Sequence, residues 1–140
     1  MIIVDPNMDK DISDIVTTAA EVCTNLFNLY DKEVLITFNG EASEGYEAVT
    51  IPGEDGRFLI ALNPDKKWDE EEIVKTIGHE YTHVKQFTYN GLDIEFEDMA
   101  LFKGSEYRFE NDMEYWLSPW EIEARGHEVA VWLLYIGKTE

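Results

Sequence analysis

Between Asp69 and Gly91 the apolar side chains fall at steps of three and four: Ile73, Ile77, Tyr81, Val84 and Phe87. That spacing predicts one long amphipathic helix with one face in a core. A row of acids, Asp69 to Glu72, opens the run and suits the positive end of a helix dipole, and Asn90-Gly91 is a good C-terminal stop. On another face the same run carries His79-Glu80-Tyr81-Thr82-His83. At 3.6 residues per turn, two histidines four apart lie on one side, about a turn from each other. Only three histidines exist in the chain, and two of them stand here. A fold built around this helix has to bring a second segment up to that imidazole pair, which constrains the architecture more than any other feature of the chain.

The pentapeptide is an HExxH motif, and its residue types suit one kind of chemistry. Neutral imidazole is a good zinc ligand at neutral pH. Zinc lowers the pKa of a bound water from 15.7 toward ~7 and polarises a carbonyl. Glu80 sits one step around the helix from His79. From there a carboxylate takes the proton of such a water and hands it to a leaving amine. The expected roles are His79 and His83 as zinc ligands and Glu80 as general base.

A catalytic zinc site takes three protein ligands and leaves a position for water. Metzincins place a histidine six residues after the second motif histidine; here that residue is Tyr89, and Gln86 stands where their glycine belongs. The remaining candidates are Glu121, Glu123, His127 and Glu128, in a segment that Ser118-Pro119 opens as a final helix. Glu123 lies about 200° around a helix from Glu121, so only one of the two can face the metal. Ala124 and Gly126 are small enough to let this helix approach the histidine helix closely.

Pro119-Trp120-Glu121-Ile122-Glu123-Ala124 resembles the second-helix motif of gluzincins, the thermolysin-like peptidases whose third ligand is a glutamate on a separate helix. In particular it resembles the minimal forms found in SprT-like and phage-encoded proteins. The resemblance covers roughly Asp69 to Ala130, about half the chain. It implies a zinc peptidase fold, with the HExxH helix packed on a small sheet. The family's ligand is followed three residues later by a small residue, which maps to Glu121 with Ala124 and leaves Glu123 as the alternative. The family also carries an acid four residues after the ligand to orient a histidine; here Arg125 holds that place. With Glu123 as ligand, His127 stands four residues on instead. Tyr107, Tyr115 and His127 are the candidate donors to a transition state or to the ligands.

Elsewhere, Asp9 to Tyr30 predicts a helix capped by Asp9 or Asp11. Val34–Phe38, Tyr46–Ile51 and Arg57–Leu62 predict strands, the last two paired as a hairpin across the Pro52–Gly56 turn. Phe102 to Tyr107 predicts a turn with short flanking strands. Ile122, Gly126, Val129, Leu133 and Ile136 predict the buried face of the last helix. The expected fold is α+β: one domain over residues 1–140, with an N-terminal helix, a small three-stranded mostly antiparallel sheet, and the HExxH and C-terminal helices packed together.

The chain carries 30 acidic against 11 basic residues, a formal net charge of −19. Such a surface repels phosphate backbones and anionic lipid, so neither nucleic acid nor membrane is an expected partner. It favours a protein or peptide substrate with a basic segment. The N-terminus lacks the basic and apolar regions of a secretory signal, no run reaches the ~20 apolar residues of a membrane span, and the lone Cys23 points to no disulfide, so a cytoplasmic protein is expected. Besides zinc-dependent peptide-bond hydrolysis, the other reading is a zinc-binding regulatory or structural protein, viral or phage-encoded, that keeps the fold without turnover.

Overall fold

The computed structural model describes residues 1–43, 45–96 and 98–139, and of Glu95 the backbone alone. Elements run β1 (Ile2–Val4), α1 (Lys10–Phe27), β2 (Glu33–Phe38), α2 (Gly40–Ser43), β3 (Ala48–Pro52), β4 (Arg57–Leu62), α3 (Glu70–Tyr89), β5 (Asp93–Phe96), β6 (Met99–Phe102), β7 (Ser105–Arg108), α4 (Asp112–Trp116) and α5 (Pro119–Thr139). The class is α+β, as expected.

The helices start where the local chemistry says they should. The Asp9 carboxylate accepts from the Asp11 and Ile12 amides and caps α1, which Asn28 closes in the left-handed conformation (φ 53°). Asp69 and Glu72 form a reciprocal capping box at the head of α3, satisfying amides that helix geometry leaves unpaired. The expected apolar face of α3 is realised, with Ile73, Ile77, Tyr81 and Val84 all buried.

The sheet departs from expectation. It has four strands in the order β1-β2-β4-β3, and only the β3–β4 hairpin is antiparallel. β1 runs parallel to β2, and β2 parallel to β4. The cause is connectivity: α1 carries the chain back between β1 and β2, and α2 with the reversed strand β3 carries it back between β2 and β4, so both pairs run parallel. The three-residue β1 is too short to announce itself by alternation. A second sheet, β5-β6-β7, is antiparallel and turns at Lys103-Gly104, both with positive φ, where the sequence predicts a turn.

The main core lies between the first sheet and helices α1, α3 and α5, around Val16, Cys23, Ile36, Ile60, Ile77, Tyr81 and Val131. A smaller cluster of Leu92, Ala100, Phe102 and Trp120 joins the second sheet to the head of α5. The α5 face is a second correction. Trp120, Glu121, Ala124, Val131 and Tyr135 are buried, whereas Ile122, Val129 and Leu133 are more than half exposed. The helix turns its glutamate-bearing side inward because α3 presents the histidines there, so the apolar stripe faces out. Nor does the Ser118 hydroxyl cap α5: it is buried without a hydrogen-bond partner among the described residues.

Candidate metal centre

Two packing features aim α5 at the histidines. Trp120 is fully buried and sits against Phe102, Tyr107, Phe109 and Tyr115, with ring centroids 5.3–6.1 Å away, which anchors the first turn. Further along, Val131 packs onto Gly78, where a Cβ would lie 2.9 Å from the valine Cβ. Glycine at that point lets the α3 and α5 backbones approach closely, one residue before His79.

Glu121 then meets both imidazoles. Its Oε2 is 3.1 Å from His79 Nε2, and its Oε1 is 3.3 Å from His83 Nε2. Among the described residues, His79, His83 and Glu121 form a group whose ligand atoms all lie within 4.8 Å of one another. Both histidine rings are largely buried, and the Glu121 side chain is only 4% exposed.

The opposite ring nitrogens are also engaged. His79 Nδ1 is 2.8 Å from Glu128 Oε2, and His83 Nδ1 is 2.8 Å from Gln86 Oε1. The Gln86 amide nitrogen donates to the Trp120 carbonyl at 2.9 Å and to Glu123 Oε1 at 2.8 Å, so its oxygen must be the atom facing His83. A carboxylate and an amide oxygen only accept, so each Nδ1 carries the hydrogen. In the neutral rings both Nε2 lone pairs therefore face the oxygens of Glu121. Acceptors confront acceptors, and only a cation between them satisfies the arrangement, either protons or a metal ion.

The ionisation of these groups has the same origin. Burial alone would lower the His79 imidazole, but its hydrogen bonds to Glu121 and Glu128 outweigh that and push it up to about 10. His83 is raised in the same way, against burial, by Glu121 and Glu80. Burial would raise Glu121, yet the two histidines hold it down at about 2. The residues thus fit a divalent ion: two imidazole nitrogens and one carboxylate, the donor set of a zinc site that keeps one position open.

Glu80 is buried beside the group and its charge acts on both histidines. The Thr50 hydroxyl, on the edge strand β3, donates to Glu80 Oε1 at 2.8 Å. Tyr115 lies close enough to feel the charges of Glu121 and Glu80. Burial first, then those charges, raise its phenol to about 12, so it stays a donor at neutral pH.

The other candidates go elsewhere. Glu123 is turned away from the histidines and binds Lys85 and Gln86. His127 lies against the Phe27 ring, its Nδ1 3.1 Å from Thr82 Oγ1. Six residues past Glu121 is about 240° around the helix, so it cannot share that face. Tyr107 packs edge-on against Trp120 in the aromatic cluster. The sequence offers Glu128 only as a candidate ligand, not as a partner of His79 Nδ1, and gives no sign of the parts played by Thr50 and Gln86. Glu128, seven residues or two turns after Glu121, had a spacing that could have revealed it; Thr50, thirty residues before Glu80, had none.

No protein-family model matches the chain, no curated protein matches it and no solved structure matches it.

Proposed function

We propose that this protein is a zinc-dependent peptidase with a zincin-like fold of the minimal gluzincin type. The observation that carries the reading is the convergence of His79 Nε2, His83 Nε2 and the Glu121 carboxylate, with Glu80 buried beside them. Its support from sequence is the HExxH motif together with the Glu121–Ala124 segment.

His79, His83 and Glu121 would hold the ion. When bound, zinc makes a water acidic enough to ionise near neutral pH and polarises the scissile carbonyl. Glu80 would accept the proton of that water and would return it to the departing amine. Thr50 fixes the Glu80 carboxylate, so the base is oriented before substrate arrives. Tyr115, within reach of the charges of Glu121 and Glu80, would be the donor to the oxygen that gains charge at the attacked carbonyl. The substrate is a peptide or protein, and the net charge of −19 favours basic segments.

Metal analysis of the purified protein should find one zinc per chain. Glu80→Gln should keep that zinc and lose cleavage by roughly 10²-fold or more. Undiminished cleavage by this variant would overturn the mechanism. Stoichiometric zinc without cleavage across a broad peptide library that includes basic sequences would favour the non-catalytic reading instead.

A further inference from the structure

The outer side of α5 is left uncovered by the fold of a single chain. Ile122, Gly126, Val129, Ala130, Leu133 and Gly137 fall there within an arc of about 100°, and all six are exposed. None is charged, although 30 of the 140 residues are acids. A run of apolar side chains like this, unlike a lone exposed leucine, marks an interaction surface.

The two glycines are a second observation. Sequence spacing expects Gly126 to bring α5 close to the histidine helix, but it lies on the far side. A Cβ added at Gly126 or at Gly137 would meet nothing within 4 Å. Glycine is the poorest helix former after proline, so two of them inside one helix need a reason, and the packing of the single chain supplies none.

The order of large and small residues supplies one. Along the stripe the steps are four, three, one, three and four, the same in both directions. Laid antiparallel on its own copy, with the twofold axis between Val129 and Ala130, α5 sets Ile122 opposite Gly137, Leu133 opposite Gly126 and Val129 opposite Ala130 of the second copy. Each larger side chain meets a small residue, and each pair occurs twice, as an isologous contact requires. Facing large residues with small ones is also what lets two helices interdigitate without voids.

We propose that two copies of this chain pair through the outer face of α5, antiparallel and in that register. A basic partner would call for acids on the face, and a chain of net charge −19 places none there. A charge-free strip lets two such acidic copies touch without bringing carboxylates together. The strip is about 24 Å long and covers less than the roughly 800 Å² per partner of a standard interface. The dimer is therefore weak, with a dissociation constant of about 10–100 μM. Glu121 and Glu128 point inward to α3, so the pairing does not depend on the metal.

Sedimentation over a concentration range that brackets this constant tests the proposal. The dimer fraction should rise with concentration and with added sodium chloride, because salt screens the repulsion between like-charged copies. Gly126→Leu sets leucine against leucine and overpacks the contact. Leu133→Gly sets glycine against glycine and leaves a gap. Each variant alone should pair about 10-fold more weakly or worse. Mixed in equal amounts, the two variants recover both leucine–glycine contacts and should pair as the wild type does; so should a chain that carries both substitutions. In dilute solution the copies are apart, and each variant should still melt cooperatively, which separates a lost contact from a lost fold.

A wild-type chain that stays monomeric at millimolar concentration in moderate salt overturns the proposal. Dimers that neither single variant weakens show that α5 is not the interface. Weakened variants that fail to recover on mixing show that the antiparallel register is wrong.

Discussion

At the scale of single residues the confrontation of lone pairs at Glu121 governs behaviour. Without metal, protons do the bridging, and the signs follow from the two shifts. The His79 value is raised from 6.5 to about 10, so its stabilising effect is complete below pH 6.5 and fades as pH rises toward 10. The Glu121 value is lowered from 4.5 to about 2, so its contribution is complete above pH 4.5 and is lost as pH falls toward 2. Metal-free protein should therefore show a melting-temperature decline between pH 6.5 and 10 that saturating zinc removes, because the ion replaces the protons. A flat alkaline profile of the metal-free protein would contradict this. Thr50 is the other residue-scale lever. Thr50→Val removes the donor to Glu80, and cleavage should drop several-fold in kcat while zinc affinity stays unchanged, as read by steady-state kinetics beside chelator competition.

At the scale of elements, the α3–α5 crossing decides whether the site exists. Gly78 sits under Val131, and an added methyl would lie 2.9 Å from the valine Cβ and 3.0 Å from its Cγ2. Alanine at a helix interior gains about 1 kcal/mol over glycine, whereas overpacking costs about 1–3 kcal/mol. Gly78→Ala should lower stability by about 1 kcal/mol in urea unfolding. It should also weaken zinc binding, because α5 carries Glu121 and Glu128 and must move outward. Gly78→Ala with Val131→Ala should restore much of the metal affinity; if it does not, the crossing is not what positions the ligands. The outward stripe on α5 makes the opposite case: Leu133 is 62% exposed, so Leu133→Gln should change stability by less than about 0.5 kcal/mol.

The whole molecule is dominated by its charge. A net charge of −19 on 140 residues repels itself in the compact state, and salt screens that repulsion. Melting temperature should rise between low and moderate sodium chloride, and cleavage of basic peptides should weaken over the same range as attraction is screened. Among the described residues no helix is long and apolar enough to cross a membrane.

Local chemistry wrote much of this into the chain. The caps of α1 and α3, the apolar face of α3, the β3–β4 hairpin, the turn at Lys103-Gly104 and the pairing of His79 with His83 depend on neighbours within a few residues, so spacing and residue type determine them. The partners of the first sheet, the inward side of α5, and the choice of Glu121 over Glu123 depend on residues far apart in sequence. An apolar stripe such as Ile122–Val129–Leu133 looks like a core face by periodicity alone. It points to solvent because burying Glu121 against two histidines and Trp120 against the second sheet turns the helix the other way. Periodicity shows that a helix has an apolar side; only the packing of the rest of the chain decides which side is covered.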